Sequence, residues 1–160
     1  MRWQHIRKFR VGAVLRGGTS HQDLRNVCGL ALVAWEAGCE VMAFVRDVDA
    51  DDRRTDAIDA GMATAAELFP QLVMIGGVAK PALEGWILAL RGVRDTDAMS
   101  RKRTLEKLRE LAIAEKQVEA YVEVIEAADL DALPPGSDSL RDWLAIARVR
   151  LGAAVHGTPA

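Results

Sequence analysis

The segment Val41-Met42-Ala43-Phe44-Val45-Arg46-Asp47-Val48-Asp49-Ala50-Asp51-Asp52 decides the fold, because an apolar run leads directly into four acids. The run from Val41 to Val45 is compact, partly β-branched and aromatic, and flanked by turn-prone residues, which predicts a short buried strand. The acids then follow the carboxyl end of that strand. Ligands bind at this end of the strands in an open α/β sheet.

The spacing of Asp47 and Asp49 suggests a site, because residues two apart on extended backbone share a face. Two carboxylates on one face repel each other unless a cation, an arginine or a proton relieves them. Mg²⁺ is the best-known such cation. The alternative is structural: aspartates also begin turns and cap helices, and Asp51 or Asp52 fits the N-cap of the next helix.

Strand and helix patterns alternate through the first half of the chain. Strands are predicted at 10–15, 41–45 and 72–75, the last followed by Gly76-Gly77, and helices from 19 or 20 to about 37, at 52–69 and at 81–91. This alternation predicts a three-layer, Rossmann-like α/β domain with a short, mainly parallel sheet.

The second half of the chain is helical in pattern. Residues 104–127 fit one helix or two, Pro134-Pro135-Gly136 marks a break, and 139–151 fit a final amphipathic helix. We therefore predict an α/β core at 1–98 and a helical C-terminal extension at 99–160, packed on the same domain.

Composition predicts a soluble globular protein, with 160 residues, 50% hydrophobic residues and a net charge of −2. Overall charge gives no sign of nucleic-acid binding, but the local run Arg101-Lys102-Arg103 fits either a solvated helix start or a phosphate contact. The two cysteines form no disulfide framework or zinc motif. With no signal sequence and no membrane span in the pattern, we expect a cytoplasmic protein without membrane contact.

The order of strand, Gly-containing turn, helix, strand and Asp-x-Asp over roughly residues 10–56 resembles the Toprim domain of topoisomerases, primases and related nucleases. Further along, Gly76-Gly77-Val78 and the segment Leu83-Glu84-Gly85-Trp86-Ile87-Leu88-Ala89 resemble small bacterial Toprim-like proteins, some of them linked to phage defence. In those proteins an acid-x-Trp-x-Leu helix follows the third strand.

The resemblance implies a metal-dependent nuclease, because the family's aspartates hold Mg²⁺ or Mn²⁺ and its nucleases cut phosphodiester bonds. By position, Asp47 and Asp49 correspond to the metal-binding pair, with Asp51 as a third acid and Glu84 as a further catalytic candidate. Phosphate would be contacted by cationic side chains and by the backbone of the glycine turn. The candidates are Arg16, Gly17, Gly18, Arg46 and Arg53.

One position departs from the family, which has a Glu immediately before the glycine turn where this chain has Arg16. A cation there opposes metal binding, and His21, Asp23 or Glu84 would have to replace the missing acid. Two functions therefore stay open. One is a Mg²⁺- or Mn²⁺-dependent nuclease or phosphodiesterase acting on nucleic acid, including one that works within an antiviral defence complex. The other is a degenerate Toprim-like binding or assembly subunit, and a protein partner or a second copy fits either.

Overall fold

Two strands and six α-helices are present in the part of the chain that the computed structural model describes, residues 22–49, 51 and 53–155. In chain order they are α1 (Gln22–Glu36), β1 (Val41–Asp47), α2 (Arg54–Leu68), β2 (Val73–Ala79), α3 (Leu83–Leu90), α4 (Arg101–Glu110), α5 (Val118–Glu126) and α6 (Asp138–Val155). A single 3₁₀ turn at Thr96–Ala98 precedes α4. About 58% of the described residues are helical.

The strands β1 and β2 pair in parallel. The Val73 N–H donates to the Glu40 carbonyl at 2.9 Å near the start of both strands, and the Val48 N–H donates to the Ala79 carbonyl at 3.0 Å near their ends. Both strands therefore run the same way, with a helix, α2, as the crossover that parallel strands need. The predicted α/β class with a parallel sheet is confirmed. The predicted strand at 10–15 lies outside the described residues.

The strand β1 runs two residues beyond its predicted end at Val45, because backbone pairing with β2 continues to the Val48–Ala79 bond. The sequence also predicted that Gly76-Gly77 would follow the third strand, and this is wrong. Both glycines lie inside β2. The turn signal of a Gly pair is overridden here by strand pairing and by close side-chain packing.

The packing at these glycines explains why no side chain fits there. A Cβ on Gly76 would lie 2.8 Å from the Met62 sulfur, and a Cβ on Gly77 would lie 2.8 Å from Cδ1 of Trp143. Real Cβ contacts are longer, so each glycine gives room for one bulky neighbour.

The described residues divide into two compact units that alternate along the sequence: unit 1 comprises 22–44, 53–76 and 150–155, and unit 2 comprises 45–49, 51 and 77–149. In unit 1, α1 packs on α2 at Gly61. A Cβ there would lie 3.0 Å from Val27 Cβ and 3.1 Å from the Leu24 backbone, so glycine permits the close approach. The thiol of Cys28 donates to the Gly61 carbonyl at 3.6 Å, and burial raises its pKa.

Unit 2 has two apolar clusters. The first joins α3, α4 and α5 through Ile87, Leu88, Leu108, Ile113 and Val124. The second joins β2, α3 and α6 through Ala79, Trp86, Ala89 and Leu140. The predicted helical segment 104–127 is two helices, because Ala112 and Lys116 adopt positive φ of 55° and 58° between them. Within the described residues no helix has the length and apolar character needed to cross a membrane.

Candidate functional site

The predicted site begins at Asp47, the last residue of β1. Its Oδ1 accepts the backbone N–H of Leu83, the first residue of α3, at 2.9 Å. The N-cap residue of α3, Ala82, has no side chain that could accept this N–H. Asp47 thus supplies, from a neighbouring segment, the capping oxygen that the helix lacks locally, and its negative charge suits the positive end of the helix dipole.

Asp49 lies in a turn, with a φ of 47°. This left-handed conformation is one that aspartate tolerates better than most residues. The expectation that Asp47 and Asp49 share a face of extended backbone is wrong, because β1 ends at Asp47 and the chain turns immediately afterwards. The turn is closed by the Asp51 N–H, which donates to the Val48 carbonyl at 3.5 Å.

The Asp49 carboxylate faces a cation of α4. Its Oδ1 lies 3.9 Å from an Nη of Arg101, and the two side chains are 49% and 63% exposed. An ion pair at this distance and exposure contributes about 0–1 kcal/mol to folding stability, because water screens the charges and both side chains lose conformational entropy. Arg101 therefore lies near the acid-rich turn, but its ion pair with Asp49 is weak.

Glu84, in the first turn of α3, faces α5. Its negative charge acts on the Tyr121 hydroxyl, which accepts the Lys116 N–H at 3.0 Å. Burial raises the pKa of Tyr121, and the negative charge of Glu84 raises it further. The structure thus gives Glu84 a tyrosine partner. Nothing in the sequence pattern signalled this pairing, because α5 follows more than 30 residues later.

The candidate phosphate contacts fall in different places. Arg46 is exposed on β1, and Arg53 is exposed just before α2, in unit 1. Arg16, Gly17 and Gly18 lie outside the described residues, as does His21. Asp23, a candidate replacement for the missing acid, is buried in unit 1 and its Oδ2 accepts from Arg54 Nε at 2.9 Å.

The start of α4 carries three exposed cations next to the acid-rich turn: Arg101, Lys102 and Arg103. The sequence alone allowed either a solvated helix start or a phosphate contact for this run. Ser100 caps this helix by accepting the Arg103 N–H at 3.3 Å, and the first turn carries no acid. Cations at a helix N-terminus oppose the helix dipole, so this charge is unfavourable for the helix itself. Its position beside Asp49 places positive charge at the edge of the acid-rich turn.

The fit of the site to a divalent cation is incomplete. Among residues 22–49, 51 and 53–155, no three His, Cys, Asp or Glu side chains are grouped so that they could hold a metal ion. One oxygen of Asp47 is occupied by a helix N–H, Asp49 faces Arg101, and Glu84 is directed to Tyr121. Asp47, Asp49 and Glu84 therefore each interact with a different group.

The arrangement that results is an acidic turn next to a basic helix start, both within unit 2. Comparison of the chain with known family models, with curated proteins and with solved structures gave no match.

Proposed function

We propose that this chain is a Toprim-like binding module for nucleic acid whose acidic strand end is compensated by an arginine instead of a divalent cation. Its fold would be the three-layer Toprim-like arrangement that the sequence predicts, and its acid set would have lost catalytic competence. The observation that carries the proposal is the 3.9 Å approach of Arg101 to Asp49. A guanidinium at that distance offsets part of the negative charge that Asp49 places after the end of β1.

The basic start of α4 is the proposed phosphate contact. Lys102 is 88% exposed and pairs weakly with Glu106 at 4.0 Å, while Arg103 contacts Glu106 and Glu110 at 3.6 Å. Such exposed pairs exchange easily for a phosphate oxygen, because each contributes about 1 kcal/mol or less. The positive end of the α4 dipole adds to the attraction for an anion.

In this proposal the acidic turn restricts where the nucleic-acid backbone can lie on the protein surface. A phosphate that approaches Arg101 is repelled by Asp49, so the nucleic-acid backbone is guided towards Lys102 and Arg103. Contact with phosphates alone would give binding with little sequence preference and a strong dependence on salt.

Fluorescence anisotropy with labelled single-stranded DNA, duplex DNA and RNA at several salt concentrations tests the proposal. The variant R101Q/K102Q/R103Q should lower the slope of log K against log salt by about 2 to 3, one per lost phosphate contact. A matched variant, R141Q/R148Q/R150Q, removes three charges from α6 and should bind like the wild type. Equal losses in the two variants, or no binding of any of the three probes at low salt, would refute the proposal.

A Mg²⁺- or Mn²⁺-dependent nuclease or phosphodiesterase is the second candidate. The observation in its favour is that Asp47 ends a parallel strand, precedes Asp49 by two residues, and bonds to the residue before Glu84. If such an ion is bound, Asp47 and Asp49, with Asp51 or Glu84, would be its ligands, and the ion would polarise the scissile phosphate.

Cleavage of labelled DNA and RNA with each metal separates the two candidates, with Asp49→Ala as the control. Under the binding proposal the wild type is inactive, and calorimetry finds no Mg²⁺ or Mn²⁺ binding in the millimolar range. Arg101→Gln should then strengthen divalent-cation binding, because it removes the competing charge beside Asp49. Metal-dependent cleavage that Asp49→Ala abolishes would establish the nuclease instead.

A further inference from the structure

The apolar surface of α5 is wider than the part that the protein core covers. Ala120, Tyr121 and Val124 pack on the cluster formed with α3 and α4. Three more apolar side chains are exposed, Val118 to 56%, Val122 to 41% and Ile125 to 47%. The core of unit 2 therefore uses only one part of the apolar surface of this helix.

The exposed side chains form a row. Val118, Val122 and Ile125 are spaced i, i+4 and i+7, so at about 100° per residue they lie within about 60° of one another on the helix. Three glutamates, Glu119, Glu123 and Glu126, are exposed and occupy the adjacent sector, on the side away from the core. The helix has no lysine or arginine. We refer to the three apolar residues and three glutamates together as the α5 face.

The residues of the α5 face are poorly explained by the fold alone. Valine and isoleucine are weaker helix formers than leucine or alanine, because their branched Cβ restricts χ1 in a helix. A nine-residue helix is marginal without packing, and this one places three such residues in solvent. A row of apolar side chains at i, i+4 and i+7 is the pattern that helix-in-groove and helix–helix recognition uses.

We propose that the α5 face docks an amphipathic helix of a partner protein, one with Lys or Arg beside its apolar row. The apolar row supplies the buried contact, and the acidic band selects for positive charge. A second copy docking through the same face would add three glutamates and no cation, so like charges would be brought together. This inference is independent of the proposed nucleic-acid contact, which lies on α4.

The probe for this proposal is a fluorescein-labelled 18-residue peptide of leucine and lysine, with leucine along one helical face, mixed with the full chain. The wild type should bind it with a micromolar Kd, and the same peptide with glutamate in place of lysine should bind at least tenfold more weakly. V122S/I125S should weaken binding at least tenfold. E119Q/E123Q/E126Q should weaken it and flatten its salt dependence.

The matched control is Val149→Ser, which removes an apolar side chain that is 72% exposed on α6 and should leave binding unchanged. Circular dichroism of each variant checks that the helices persist. Equal binding of the lysine and glutamate peptides, equal binding by V122S/I125S, or no binding by the wild type would overturn the proposal. So would sedimentation that finds a wild-type dimer and a V122S/I125S monomer, because the face would then join two copies.

Discussion

Two aspartate–arginine pairs of this protein differ in nearly every property that decides what an ion pair does. In unit 1, Asp23 and Arg54 lie 2.9 Å apart with side chains 3% and 11% exposed, and the amide of Asn26 donates to the same carboxylate at 3.3 Å. In unit 2, Asp49 and Arg101 lie 3.9 Å apart and are about half exposed. The first pair is closed off from ligands, whereas the second is open to them.

The contrast shows why an acid near a predicted site cannot be assigned a role from its position in the sequence. A buried, well-bonded pair is expensive to break, because removing one partner leaves an uncompensated charge away from water. Breaking an exposed ion pair changes the free energy of unfolding little, because water solvates the remaining charge. Asp47 is intermediate, with one oxygen fixed by a helix N–H. Stability measurements on these three aspartates should therefore give a graded series.

The largest effect should come from Asp23→Ala, with a loss of about 3 kcal/mol in the free energy of unfolding, because the nearly buried Arg54 loses the carboxylate that accepts from its Nε at 2.9 Å. Urea denaturation followed by tryptophan fluorescence measures it. The control is Asp59→Ala, which removes an exposed acid from α2 and should cost less than about 0.5 kcal/mol. Equal losses in the two variants would mean that the buried pair does not stabilise unit 1.

Asp47→Ala should cost about 1 kcal/mol, the usual loss when a helix loses its N-terminal capping side chain. Asp47→Asn keeps an oxygen that can accept the Leu83 N–H and should recover most of the loss. Urea denaturation of both variants measures the difference. If Asn is no better than Ala, the carboxylate charge rather than the hydrogen bond is what α3 requires.

Asp49→Ala should change the free energy of unfolding by less than about 0.5 kcal/mol, because its ion pair with Arg101 is long and exposed. The same substitution should strengthen binding of labelled DNA or RNA by removing a charge that repels phosphate. A loss of stability as large as that of Asp23→Ala would mean that Asp49 stabilises the fold as the buried Asp23 does. The two ion pairs would then not differ in their contribution to stability.

The smallest effect concerns Glu84, the candidate acid that faces Tyr121. Tyr121 is the chain's single tyrosine, so tyrosinate absorbance reports it alone. Burial and then Glu84 raise its pKa above the ordinary 10.0, and Glu84→Ala should lower that pKa. A raised pKa in the folded state means that the neutral phenol is favoured. Its stabilisation is complete below pH 10.0 and is lost as the pH rises through the folded pKa. An unchanged titration in Glu84→Ala would show that burial, with the charge of Glu115, raises the pKa of Tyr121 without a contribution from Glu84.

Periodicity predicted segments that overlap both strands and all six α-helices between 22 and 155, but not the 3₁₀ turn at Thr96–Ala98. The misplaced Gly76-Gly77 shows the limit, because its role depends on Met62 and Trp143, which contact it only after folding. Prediction of the candidate site from the sequence was limited for the same reason. The cluster of acids marked the end of a strand, but the partners Leu83, Arg101 and Tyr121 come from segments 34 or more residues away.

The alternation of the two units along the chain has a consequence for how the protein is made. The first residues of unit 2 follow residue 44, but its last residue is 149, and unit 1 closes only with the segment that begins at 150. At about 5–20 residues per second, the ribosome needs roughly 5–20 s to synthesise residues 45–149. Neither unit can complete its contacts during that interval. During that interval the apolar surfaces that later segments of each unit cover stay exposed in the nascent chain.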